Sequence, residues 1–101
     1  MRAALVLLLL VVAEAGAKQS DTLATELLAA GCNACHGPDG KGSPPVPALR
    51  GRDDLHVLLE GWREAPEAKG RAHIMIRFAR ALDAADTAAL AAHYASEEGV
   101  P

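Results

Sequence analysis

The chain has 101 residues, with 10 Lys and Arg against 13 Asp and Glu and a formal net charge of -3. That length excludes more than one small domain, and that balance gives no basic footprint for nucleic acid. Hydrophobic residues make up 50% of the chain but aromatics only 3%, so Ala and Leu must fill a core that a domain of this size already struggles to build.

The opening MRAALVLLLLVVAEAGA carries one basic residue, an apolar run from Ala3 to Ala13, and the small residues Ala15, Gly16 and Ala17. It reads as a secretory signal peptide over 1–17, followed by a domain over 18–101. The apolar run falls short of the roughly 20 residues that span a bilayer, so an uncleaved anchor is the weaker alternative. Cleavage after Ala17 removes one Arg and one Glu and leaves the net charge unchanged. An exported chain meets an oxidising compartment, the periplasm or an equivalent.

Asp21 opens a helical pattern with Leu23, Leu27 and Leu28 on one face, and Gly31 is placed to end it just before Cys32. The Gly- and Pro-rich segment from Gly37 to Gly51 predicts a long loop. Asp53 or Asp54 caps a second helix, in which Leu55, Leu58, Leu59 and Trp62 share a face. After a connection broken by Pro66 and Gly70, AHIMIRFARAL is apolar without clean periodicity and fits either a short helical turn or a loop. Asp83, with Asp86 three residues on, caps a last Ala-rich helix carrying Leu90 and Tyr94 toward Ser96. No strand alternation and no repeat is visible, so the fold class is all-α, three to four helices with long loops.

All the chemistry in the cysteines lies in Cys32, Asn33, Ala34, Cys35 and His36, which spell C-x-x-C-H, the pattern of covalent c-type haem attachment. Two thiols at this spacing add to the two vinyl groups of one porphyrin, and the adjoining histidine is then held beneath the iron. A thioredoxin-like thiol oxidoreductase would need alternating strands and helices and leaves His36 idle. Structural zinc needs four ligands, two of them drawn from His36, His56, His73 and His93 at scattered positions. The haem also supplies the interior that the side chains lack.

The second face of the iron has two candidates. Met75 is the single methionine after the leader, in an apolar stretch far enough downstream to wrap the macrocycle; its bland alternative is core filler. His73 is the rival and would give bis-histidine ligation. The choice matters because His/Met ligation raises the reduction potential.

With C-x-x-C-H after a first helix, a Pro-rich loop, the M-x-x-F-A run of Met75, Phe78 and Ala79, and a final helix, the chain from Asp21 to Ala95 resembles class I cytochrome c. The resemblance implies a small fold of helices wrapped around one covalent haem c. It places His36 as proximal and Met75 as distal ligand. It also implies that the carbonyl of Pro47 accepts a hydrogen bond from the His36 Nδ1–H, and that Leu49 packs on the ring. Ala24 and Leu28 are then expected to meet Leu90 and Tyr94 where the terminal helices cross. Trp62 is either core or a donor to a haem propionate, as a tryptophan is in some members. His56 and His93 read as surface or internally satisfied residues. The ending IMIRFARALDAADTAALAAHYA is similar to that of the small cytochrome subunit of flavocytochrome c sulfide dehydrogenases; unlike many class I relatives, the chain has no proline directly after Met75.

The implied function is electron transfer outside the cytoplasm, as a soluble carrier or as the haem subunit of a sulfide-oxidising flavoprotein complex, with no bond chemistry of its own. The partner is a redox protein, and the basic stretch of Lys69, Arg71, Arg77 and Arg80 would steer it; Glu97 and Glu98 crowd the opposite charge at the end. The alternatives are a haem-based ligand sensor or peroxidase-like enzyme with a displaceable distal ligand, and a C-x-x-C thiol oxidoreductase.

Overall fold

A computed structural model describes residues 21–66 and 72–96. The expected leader 1–17 lies outside the described residues, as do Lys69, Arg71, Glu97 and Glu98. Among the described residues there are four α-helices and no named strand, in keeping with an all-α domain, and no helix is long and apolar enough to cross a membrane.

The first helix, α1, covers 21–36 and does not stop at Gly31. A Cβ at Gly31 would meet no protein atom within 4 Å, because this glycine borders the cavity described below. The glycine that ends α1 is Gly37, at φ 86°, whose N–H still reaches the Asn33 carbonyl at 2.9 Å. The left-handed conformation after the last helical residue is where glycine is favoured. Cys32, Cys35 and His36 therefore ride on the final turns of a helix and not in the loop beyond it.

The loop holds a short 3-10 turn at Pro38–Gly40 and an isolated bridge between Ser43 and Val46. It is pinned from both sides, by Gly42 N to His36 O at 2.6 Å and by Leu49 N and Arg50 N to Gly40 O at 2.7 and 2.9 Å. These bonds satisfy the backbone groups that a loop folded inward would otherwise strand.

Helix α2 spans Leu55–Glu64 and buries Leu55 and Leu59. Its N-cap is Asp54, but no capping bond forms, because both carboxylate oxygens take the Arg52 guanidinium at 2.8 and 2.9 Å. That fork holds the Asp54 carboxyl below the usual carboxylate range.

Helix α3, Ala72–Ala81, occupies the stretch whose sequence leaves its state open. Its apolar residues form one broad face at helical spacing, and that face serves two surfaces. Ile76 and Ala79 are buried against protein, whereas Ile74, Met75, Phe78 and Ala81 line a cavity. Helix α4, Ala84–Ala95, opens with the expected Asp83 cap as a full capping box, Asp86 N to Asp83 Oδ1 at 2.7 Å and Asp83 N to Asp86 Oδ2 at 3.3 Å.

Helix α2 packs on both α3 and α4. Ala29, Leu49, Leu55, Leu59, Ala79, Leu90 and Tyr94 form the core cluster. The crossing of α1 and α4 differs from expectation in one residue. Ala24 is exposed, and the small residue buried there is Ala29, whose carbonyl accepts from the Tyr94 hydroxyl at 3.1 Å.

Candidate haem site

Cys32, Cys35, His36, Leu49 and Met75 line one cavity of about 330 Å³. Its other walls are almost wholly aliphatic and aromatic, contributed by α1, α2, α3 and α4. That size and lining suit a largely apolar ligand fixed by a few directed groups. Leu27, Ile74 and Phe78 are 68, 54 and 50% exposed, large apolar residues left uncovered by protein, and all three face this cavity.

His36 is buried at 7% exposure. Its Nδ1 lies 2.6 Å from the Pro47 carbonyl oxygen. A carbonyl only accepts, so Nδ1 carries the proton and Nε2 keeps its lone pair. This is the tautomer a metal-binding imidazole needs, and the bond raises its basicity.

Neither cysteine is in a disulfide. Burial pushes the Cys32 thiol up. A thiol-exchange centre needs the opposite shift, toward thiolate. Among the described residues no three of His, Cys, Asp and Glu converge into a metal-binding group, so the four-ligand zinc arrangement is not assembled there. The donor set fits a haem: two thiols for the vinyl groups, one imidazole nitrogen, one thioether and an apolar enclosure.

The two distal candidates separate. Met75 lines the cavity, while His73, two residues earlier and partly buried, is not among its walls. Trp62 is also outside the lining; it is partly buried and packs against the core cluster. His56 is exposed, with Glu60 one turn on at 4.0 Å. Arg77 and Arg80 are exposed, but Arg80 is engaged, donating to the Ala65 carbonyl at 2.8 Å and the Arg63 carbonyl at 3.4 Å at the end of α2.

Two residues that the motif reading passed over tie this site to the rest of the fold. Asn33, a spacer position of C-x-x-C-H, takes the Tyr94 hydroxyl on Oδ1 at 2.5 Å. Arg50, inside the loop that carries Pro47 and Leu49, reaches the end of α4. It donates to the carbonyls of His93 and, at 3.3 Å, Ser96, while its Nε holds the Asp39 carbonyl at 3.0 Å. A helix C-terminus offers unpaired carbonyls and partial negative charge, which a guanidinium answers on both counts.

An all-α domain closed around an apolar cavity, with paired cysteines and an oriented imidazole on its wall, defines a protein of the haem c-binding class. The chain belongs to the cytochrome c family, whose model matches residues 22–96. It is 36% identical over 70 residues to cytochrome c-554(548) of Halomonas halodenitrificans, an alignment that covers 66% of this chain and 84% of that protein. No solved structure matches. Family membership together with Cys32, Cys35 and His36 implies covalent haem c, and members of this family are typically electron-transfer proteins.

Proposed function

We propose that this cytochrome c is a monohaem electron carrier of an extracytoplasmic compartment, with His36 and Met75 as axial ligands. The observation that carries the ligand assignment is that both residues line the cavity that holds both cysteines, whereas His73 does not. Bound there, the haem iron supplies one-electron chemistry between ferric and ferrous states. The chain's own residues do the rest. Cys32 and Cys35 tether the porphyrin, Pro47 orients His36, and Leu27, Leu49, Ile74 and Phe78 exclude water from the ring. With both axial places filled by protein, no position is left for substrate, which disfavours the ligand-sensor and peroxidase-like readings.

The compartment is inferred from the leader-like segment 1–17 and from the family's usual location outside the cytoplasm. The partner proposed is another redox protein. Its association as a haem subunit with a sulfide-oxidising flavoprotein rests on the likeness of the chain's ending alone, so the diffusible carrier is the reading preferred here.

The test is spectroscopic. A pyridine haemochrome spectrum of the denatured protein should show haem bound through two thioethers. The ferric protein should show a weak near-infrared sulfur-to-iron band that survives His73→Ala and disappears in Met75→Ala. Loss of the band in His73→Ala, with retention in Met75→Ala, would overturn the ligand assignment. Purification from the native source with a yellow flavoprotein bound would replace the free carrier by the subunit.

A further inference from the structure

Arg50 and His93 are 43 positions apart and meet outside the cavity lining, behind Tyr94, which is one of its walls. The Arg50 Nη2 donates to His93 Nε2 at 3.3 Å, and the same guanidinium stacks over the Tyr94 ring, 4.8 Å from its centroid. His93 sets its own ring edge-on to Tyr94 at 4.8 Å. A guanidinium has no acceptor, so His93 Nε2 must offer a lone pair, which makes the ring neutral. Adding a proton to that nitrogen both abolishes the hydrogen bond and sets two cations in contact.

The backbone beside Arg50 is tied to the same helix end, since Gly51 N donates to the Tyr94 carbonyl at 2.7 Å. Three residues before Arg50 stands Pro47, whose carbonyl orients His36. We propose that Arg50 is a positioning residue for the axial histidine, and that protonation of His93 loosens its hold, so that the reduction potential of the iron follows the charge of His93. The inference rests on the reading of His36 as an iron ligand.

The sign follows from the chain of contacts. A firm Pro47 bond makes the imidazole more basic and favours ferric iron. Loosening that bond, and adding positive charge, both favour the ferrous state. The potential therefore rises as pH falls through the His93 titration. By linkage, His93 must bind its proton more tightly in the ferrous protein than in the ferric.

The groups facing His93 place that titration below the ordinary histidine value of about 6.5. Burial and the Arg50 charge hold its pKa down, while Glu26 and Asp39 pull weakly the other way. Tyr94 stays neutral beside it, its pKa raised chiefly by burial.

The experiment is a proton NMR titration of the diamagnetic ferrous holoprotein, paired with potentiometry over the same pH range. The His93 ring, the Gly51 amide and the His36 Nδ1–H are expected to shift with one midpoint, and the potential to rise through it. Arg50→Gln should leave His93 titrating but uncouple the Gly51 and His36 signals and shrink the step in potential to the part that the His93 charge exerts through space. Arg50→Lys, which keeps the charge but not the fork, should do the same. His93→Gln keeps an acceptor for Arg50 without a titrating ring, and serves if the Arg50 variants do not fold; it should give a potential indifferent to pH across the window. A full step surviving in Arg50→Gln or His93→Gln, or a His36 signal that ignores His93, overturns the proposal. The haemochrome spectrum and near-infrared band judge the ligand assignment separately, so the two failures are distinguishable.

Discussion

Tyr94 is the residue on which the two ends of the fold converge. It is 0% exposed, and its single hydroxyl proton is shared between Asn33 Oδ1 at 2.5 Å and the Ala29 carbonyl at 3.1 Å. Burial pushes its pKa far above the ordinary tyrosine value, so it remains a neutral donor throughout the working range. Its ring also fills the space beside Gly40, where an added Cβ would stand 2.5 Å from Cε1 and where φ is +69°. Only glycine gives both that backbone and that closeness. Replacing Tyr94 by Phe keeps the ring and removes the hydroxyl's bonds to Asn33 and Ala29, at a cost of about 1 kcal/mol. The holoprotein should lose several degrees of Tm while keeping its covalent haem. An unchanged Tm would mean that the hydroxyl contributes nothing, and that the helix crossing is held by ring packing alone.

At the scale of elements, all four helices line the cavity, and they differ in how plainly local sequence marks them. α4 announces itself through Asp83 and Asp86, and the capping box forms as expected. Asp83→Ala should cost about 1 kcal/mol, read as a lower denaturation midpoint with the visible spectrum unchanged. If the spectrum changes as well, the start of α4 is coupled to the site and is not an independent cap. α3 does carry helical periodicity, with His73, Arg77 and Arg80 on one face, but its apolar face is wide because Ile76 and Ala79 face protein while Ile74 and Phe78 face the cavity, and the run of apolar letters hides it. The end of α1 departs from the expected Gly31 for a different reason. Gly31 and Gly37 are equivalent as residues, and only tertiary bonds at the C-x-x-C-H turn show which of them adopts the positive φ. The contact between His36 and Pro47 could be anticipated from a resemblance to a family; the reach of Arg50 to the end of α4 could not. No local pattern links a loop arginine to carbonyls more than forty positions away.

For the whole molecule, the deciding quantity is how much of the core the chain owns. Its fully buried aromatic is Tyr94 alone, while Phe78 stands half exposed with Leu27 and Ile74 around the cavity. Burying such a side chain completely is worth about 1.5–3 kcal/mol, so covering the uncovered half of these three contributes on the order of 3 kcal/mol. A small domain has only about 5–15 kcal/mol of net stability, and the porphyrin's own apolar faces and tether add to its side of the balance. The chain without haem is therefore expected to be marginal or unfolded. Cys32→Ser with Cys35→Ser, produced beside the parent protein in a host able to attach haem, should yield a colourless polypeptide with most of the far-ultraviolet helical signal gone and no cooperative melt. Arg50, Tyr94 and the capping box remain in that variant, so any surviving structure measures what the protein contacts supply unaided. A colourless chain that melts cooperatively at the temperature of the red one would show that the aliphatic walls close on themselves, and that the cofactor is a passenger in a core already complete.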